Sequence, residues 1–181
     1  MKYDQTVVLK NGIEALLRNG NAADGFAVFE NFNLTHAETD YLLSYPDENS
    51  YDPDKEATFL EEKTKSPNEI EIIAIIDGKI AGTAGIEAVG EKYKVKHRAE
   101  FGISILKEYW GLGLGRALAM ACIQCAKDAG YEQLELDVVS ENERALSLYR
   151  SLGFVEFGRN PKGFKSRTAG YQEVIYMLLK L

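Results

Sequence analysis

The stretch Ala99-Glu100-Phe101-Gly102-Ile103-Ser104-Ile105-Leu106-Lys107-Glu108-Tyr109-Trp110-Gly111-Leu112-Gly113-Leu114-Gly115-Arg116-Ala117-Leu118 decides the fold. From Phe101 to Ile105 bulky apolar residues alternate with Gly102 and Ser104, which share a small, polar face with Glu100. That period of two marks a strand ending near Leu106. Three glycines at alternate positions follow, and then Leu114, Ala117, Leu118, Ala121, Cys122, Cys125 and Ala129 form one apolar helical stripe that stops at Gly130. The order is strand, glycine turn, helix. The first turn of a helix carries unpaired N–H groups and about half a positive charge, and glycines let an anion reach them without meeting a Cβ. The turn is therefore a candidate phosphate cradle, although a tight turn that needs glycine only for its φ values reads the same way.

Spacing separates the phosphate ligands such a turn can hold. A Walker A loop ends in Gly-Lys-Ser/Thr, whereas Gly115 is followed by Arg116 and Ala117. A dinucleotide fingerprint, Gly-x-Gly-x-x-Gly, would need glycine at Arg116, though Glu135 and Asp137 do sit in a following strand where an acid is expected. The dinucleotide reading stays open as an alternative.

Trp110-Gly111-Leu112-Gly113-Leu114-Gly115 resembles the Gln/Arg-x-x-Gly-x-Gly/Ala turn of the GNAT superfamily of acetyl-CoA-dependent N-acetyltransferases, with Trp110 standing where Gln or Arg is usual. Downstream, Asn142-Glu143-Arg144-Ala145-Leu146-Ser147-Leu148-Tyr149-Arg150-Ser151-Leu152-Gly153-Phe154 is similar to the same family's Asn-x-x-Ala-x-x-Leu-Tyr-x-x-x-Gly-Phe helix at every position. The motif resemblance covers residues 99–154. It implies the GNAT fold, of α/β (α+β) class: a mixed, mostly antiparallel central sheet of six to seven strands, helices on both faces, and a parallel pair splayed between the strands ending at Leu106 and Val139. It also implies acetyl-CoA as acetyl donor, CoA as product, an amine acceptor, and homodimers as a common assembly of such relatives.

Length and composition set bounds. At 181 residues, 45% hydrophobic and 27% charged, the chain reads as one domain over 1–181 with a sizeable core. The start lacks the apolar region of a leader, and no run approaches the ~18 apolar residues of a membrane span, so a cytoplasmic protein without a membrane partner is expected. A net charge of −7 argues against nucleic acid and suits a cationic small molecule. Cys122-Ile123-Gln124-Cys125 matches a redox spacing, but it lies in mid-helix on the apolar stripe and reads as inert core thiols. His36 and His97, with no cysteine near them, indicate no metal site.

Outward from the centre, Asn11-Gly12 between Thr6–Leu9 and Ile13–Arg18 signals a hairpin. Residues 22–44 form a helical region expected to break near Asn31 to Thr35 and to end at Pro46, with Phe26, Phe29, Phe32, Leu34, Tyr41 and Leu42 mostly in the core. Seven acids between 47 and 62 face Lys55 alone, as a solvated surface or as an attraction for an amine. Residues 54–65 read as a short helix. Glu71–Ile76, Asp77-Gly78 and Ile80–Val89 make a second hairpin, continued by Val95–Leu106. Gln133–Val139 is a strand parallel to the preceding one because a helix connects them. Ser140 with Glu143 fits a capping box. Phe154–Arg159 and Tyr171–Lys180 close the sheet, with Arg159, Lys162, Lys165 and Arg167 in a loop expected to be solvated.

The chemistry needs a neutral amine, a polarised carbonyl and a proton for the departing thiolate. Glu100, on the small face of its strand, is the candidate base, with structural pairing as its other reading. The resemblance assigns main-chain groups at Ile103 and Ile105 to the thioester and pantetheine. It assigns those of Gly111, Leu112, Gly113, Leu114, Gly115 and Arg116 to the pyrophosphate. Asn142 and Ala145 fall along the pantetheine, and Tyr149 is the proton donor to sulfur, with a packing ring as its alternative. Two rival functions remain: a CoA-binding regulatory module without turnover, and the dinucleotide-binding domain.

Overall fold

The structure, a computed structural model, describes residues 1–181. The chain runs β1 (Asp4–Val8), β2 (Glu14–Asn19), α1 (Gly25–Glu38), α2 (Pro53–Lys65), β3 (Ile70–Ile76), β4 (Lys79–Ala88), β5 (Arg98–Ile105), α3 (Leu114–Asp128), β6 (Gln133–Val139), α4 (Glu143–Ser151), β7 (Val155–Ser166) and β8 (Gly170–Lys180). All eight strands join one sheet in the order β1-β2-β3-β4-β5-β6-β8-β7, one or two strands more than expected. Only β5 and β6 run parallel, joined through α3, and every other neighbouring pair is antiparallel. The doubly wound parallel sheet of a dinucleotide domain is excluded by that pairing.

Strand β3 shows why helices cover both faces. Its successive side chains point to opposite sides. Ile70, Ile72, Ala74 and Ile76 join the large core that contains Leu114, Leu118 and Cys122 of α3. Ile73, between them, packs with Val28 of α1 and Leu60 of α2 on the other side. Complete burial of a Leu or Ile side chain contributes roughly 1.5–3 kcal/mol, so β3 is an anchor for both layers.

The N-terminal helical region departs from expectation. Helix α1 is continuous through Asn31 to Thr35 and ends at Glu38, well before Pro46. Its polar residues do not break it because they have partners: Asn31 Nδ2 donates to the Ile80 carbonyl at 2.9 Å, and Thr35 Oγ1 to the Asn31 carbonyl at 2.9 Å. The buried face is Val28, Asn31, Thr35 and His36, whereas none of the aromatics assigned to the core is fully buried and Phe26 is exposed. Helix α2 starts at Pro53, capped by Asp52 accepting from the Lys55 N–H at 2.9 Å.

The C-terminal basic segment is also corrected. Residues 160–166 extend β7 rather than forming a loop. Arg159 pairs with Glu156 and Glu173, Lys162 and Lys165 lie over the Tyr171 ring, and Arg167 pairs with Asp47 and Glu48. The β7–β8 tip thereby fastens onto the acidic segment between α1 and α2, where Ser166 also bonds Asp40.

Candidate active site

Residues 111–116 lie between β5 and α3. Gly111 and Gly113 have φ of +80° and +95°, in the left-handed region that L side chains rarely enter. Gly113 caps α3. A Cβ on Gly115 would stand 3.3 Å from Leu148 Cδ2 and 3.4 Å from Ile105 Cδ1, so glycine lets α4 and β5 close around the start of the helix. The main-chain N–H groups of Gly111 through Arg116 find no acceptor within the protein. A row of free donors at a helix start favours an anion. Leu114 itself is buried and Leu112 packs on the core, so these two contribute main chain only.

Lys10, at the β1–β2 turn, braces this segment: its N–H donates to the Leu112 carbonyl at 3.0 Å. With Arg116 and Arg144 it gives the adjoining cleft, about 630 Å³, three cationic side chains. Lys10 and Arg144 escaped the sequence reading, because nothing local brings a hairpin turn against a helix start 100 residues later. Trp110 turns its indole to the protein, Nε1 donating to the Ile105 carbonyl at 2.8 Å, beneath the Arg144 guanidinium at 4.6 Å.

The cleft opens because β5 and β6 part. Their register includes only Arg98–Gln133, Ala99–Leu134 and Glu100–Glu135, so Phe101 to Ile105 face no β6 partner. Ile103, Ile105, Gly111, Gly113, Gly115, Arg116, Asn142, Ala145 and Tyr149 all border this cleft, which brings nearly every expected cofactor residue together. The Tyr149 ring sits edge-on to Phe101, centroids 6.2 Å apart, and burial pushes its phenol well above the usual range, with Asp137 adding to the effect. The phenol therefore keeps its proton at neutral pH. Asn142, rather than Ser140, caps α4: Oδ1 accepts from the Ala145 N–H at 3.2 Å, while Ser140 Oγ bonds Glu141. The Asn142 oxygen is thus committed to the helix start.

Glu100 lies outside that cleft. It borders a second cavity of about 800 Å³ on the α1–α2 side, and the two spaces share Leu42, Ile103 and Ser104. Across the sheet Glu100 stands between Glu87 of β4 and Glu135 of β6. Three like charges in a row are destabilising unless compensated. Lys63 bonds Glu87 at 2.8 Å, and Arg98 grips Glu135 with two bonds that hold its carboxyl below the usual range. Glu100, in the middle, has no basic partner. Cys122 and Cys125 are buried, unpaired and pushed upward in pKa by burial, Cys125 to about 11.

A family model described as the acetyltransferase (GNAT) family matches residues 33–154. The chain belongs to that family. It is 25% identical over 165 residues to the L-amino acid N-acyltransferase MnaT of Escherichia coli, covering 91% of this chain and 93% of that one. It is 33% identical over 89 residues to human N-acetyltransferase 8B, and this match spans 49% of the chain but only 39% of the human protein. Among solved structures, an acetyltransferase of the GNAT family from Streptococcus pneumoniae superposes with a TM-score of 0.88 at 29% identity, covering 92% of this chain and 99% of that one. The fold of yncA from Salmonella typhimurium, described with its cofactor acetyl-CoA, matches at 0.80 and 21% identity over 92% and 94% of the two chains. No helix is long and apolar enough to cross a membrane.

Proposed function

We propose that residues 1–181 act as one catalytic domain that moves an acetyl group from acetyl-CoA to the primary amine of a small molecule, by direct transfer, in the cytoplasm. The observation that carries this reading is the row of free N–H groups from Gly111 to Arg116, flanked by Lys10, Arg116 and Arg144, at the mouth of the gap between β5 and β6. Those donors and cations suit a diphosphate. The gap suits an extended chain carrying amides, because Phe101–Ile105 offer it an unpaired strand edge. When bound, acetyl-CoA supplies a thioester carbonyl to attack and a thiolate to expel.

Each residue then has a task. Main-chain groups at Ile103 and Ile105 orient the carbonyl and the pantetheine amides. Ala145 leaves room beside the chain, and Asn142 holds the start of α4 in register. Glu100, across the shared boundary at Ile103 and Ser104, takes the proton of the ammonium through water, since an alkylammonium with a pKa of about 10.4 is charged at neutral pH. Tyr149 delivers its proton to sulfur as the C–S bond breaks and the C–N bond forms.

The reading is tested by melting the protein with acetyl-CoA and, separately, with NAD. A ligand at 100 times its Kd adds about 2.7 kcal/mol, which for this size raises the melting temperature by roughly 5–10 °C. Acetyl-CoA is expected to do so and NAD is not. Thiol release that depends on an added amine then separates an acetyltransferase from a module that only binds CoA.

A further inference from the structure

The second cavity has an unusual charge balance. Three of its carboxylates are neutralised by neighbours: Glu48 by Arg167, Glu87 by Lys63 and Glu135 by Arg98. Glu56, Glu71, Glu100 and Asp137 also line it, and none of these four has a basic partner. The wall contains no lysine or arginine, and burial lowers the pKa of its histidine, His36, which keeps that ring uncharged near pH 7.

Glu56 is the sharpest of these observations. The residue is 93% buried, since its relative exposure is 7%, and its carboxyl, with no hydrogen-bond or ion-pair partner, opens onto the cavity. Burial alone pushes its pKa upward. Glu71 reaches the same space across Gly85, where an added Cβ would meet Glu71 Oε2 at 2.1 Å. Burial, with the charges of Glu56 and Glu87 beside it, pushes the Glu71 carboxyl up to about 7 against a hydrogen bond from Thr83. Carboxyls gathered on one cavity wall with no counter-charge repel one another and favour an occupant that brings the positive charge.

No three His, Cys, Asp or Glu side chains converge as a metal-binding group. The acids are set apart along the wall, an arrangement that suits positive charge spread along a molecule. An acceptor bearing its own carboxylate would meet only like charge here, at a cost that specificity can exploit. Between the acids stand Phe32, Tyr51, Phe59 and Phe157, which give methylene groups and ammonium ions an aromatic surface.

We infer that the acceptor is a linear di- or polyamine lacking a carboxylate, with a distal ammonium held by Glu56 and Glu71 and the reacting amine at the Ser104 end beside Glu100. The inference rests on the transfer reaction proposed above and narrows its substrate.

The test measures CoA thiol release from acetyl-CoA with four probes: spermidine, cadaverine, n-pentylamine and L-methionine. Spermidine and cadaverine are expected to exceed the other two in kcat/KM by at least about ten-fold. Glu56→Gln and Glu71→Gln should each raise the KM for spermidine by about ten-fold, with the KM for acetyl-CoA held within about two-fold. Turnover of n-pentylamine or L-methionine as efficient as that of spermidine overturns the inference and leaves the transfer reading standing, as does an unchanged spermidine KM in both variants. Failure of acetyl-CoA to raise the melting temperature, with no thiol released by any amine, overturns the transfer reading and the inference together.

Discussion

Tyr149 of α4 meets Phe101 of β5 edge to face, with ring planes at 88° and centroids 6.2 Å apart, directly beyond the last β5–β6 register pair at Glu100 and Glu135. The phenol is thus fixed at the apex of the gap, and Phe154 packs on the same ring at 5.8 Å. Tyr149→Phe keeps these contacts and removes only the proton. Its kcat is expected to fall by about 10²-fold, the lower end for a general acid, with acetyl-CoA affinity unchanged. Steady-state kinetics beside calorimetric binding check this, and an unaltered kcat would remove Tyr149 from the role of proton donor.

The turn is expected to be intolerant at Gly113, where φ is +95°. Forcing an L side chain into that region costs about 1–2 kcal/mol, which lowers the melting temperature by roughly 2–8 °C for this size. Gly113→Ala should therefore melt earlier and bind acetyl-CoA more weakly, because relaxing the turn re-aims the free N–H groups. Wild-type affinity in this variant would mean that the left-handed turn serves the backbone alone.

Lys10 makes its anchoring bond with main chain, so Lys10→Met keeps the brace to Leu112 and removes only charge. The KM for acetyl-CoA should rise several-fold at low salt. The gap from wild type should narrow as ionic strength approaches 1 M, where the screening length is about 3 Å. A KM penalty independent of salt would assign Lys10 a structural role instead.

Glu71 makes stability depend on pH. Its folded pKa of about 7 lies above the ordinary 4.5, so the folded chain holds this proton more tightly than the unfolded chain. The resulting stability is fully present below pH 4.5 and is lost as pH rises through 7. Glu71→Gln escapes that loss. It should be more stable than wild type at pH 8 by an amount on the order of 3 kcal/mol, with the difference shrinking toward pH 4.5. Urea titrations at both pH values measure it, and equal stability at pH 8 would contradict the raised pKa.

What the sequence disclosed was local. The period of two in Phe101–Ile105, the glycines at 111, 113 and 115, and the Asn142–Phe154 pattern each express a backbone state through neighbouring residues, and all three elements formed where they were read. The break expected at Asn31–Thr35 failed because local propensity disfavours polar residues in mid-helix, whereas Asn31 has a partner in Ile80, 49 residues away. The basic segment misled for the same reason, since Arg167 finds Asp47 across 120 residues. Lys10 at the glycine turn and the uncompensated Glu56 became visible only when the sheet brought distant segments together. Charge composition announced an acidic segment, but the burial of one of its carboxyls is a property of the fold.

The central claim is that the N–H groups of Gly111 to Arg116 grip a diphosphate. Amide NMR of the isotope-labelled protein titrated with acetyl-CoA tests it most directly. The account predicts that the largest shift changes fall on residues 111–116, and that the same titration with NAD leaves them in place. Amides of 111–116 that stay fixed while acetyl-CoA saturates the protein would contradict it.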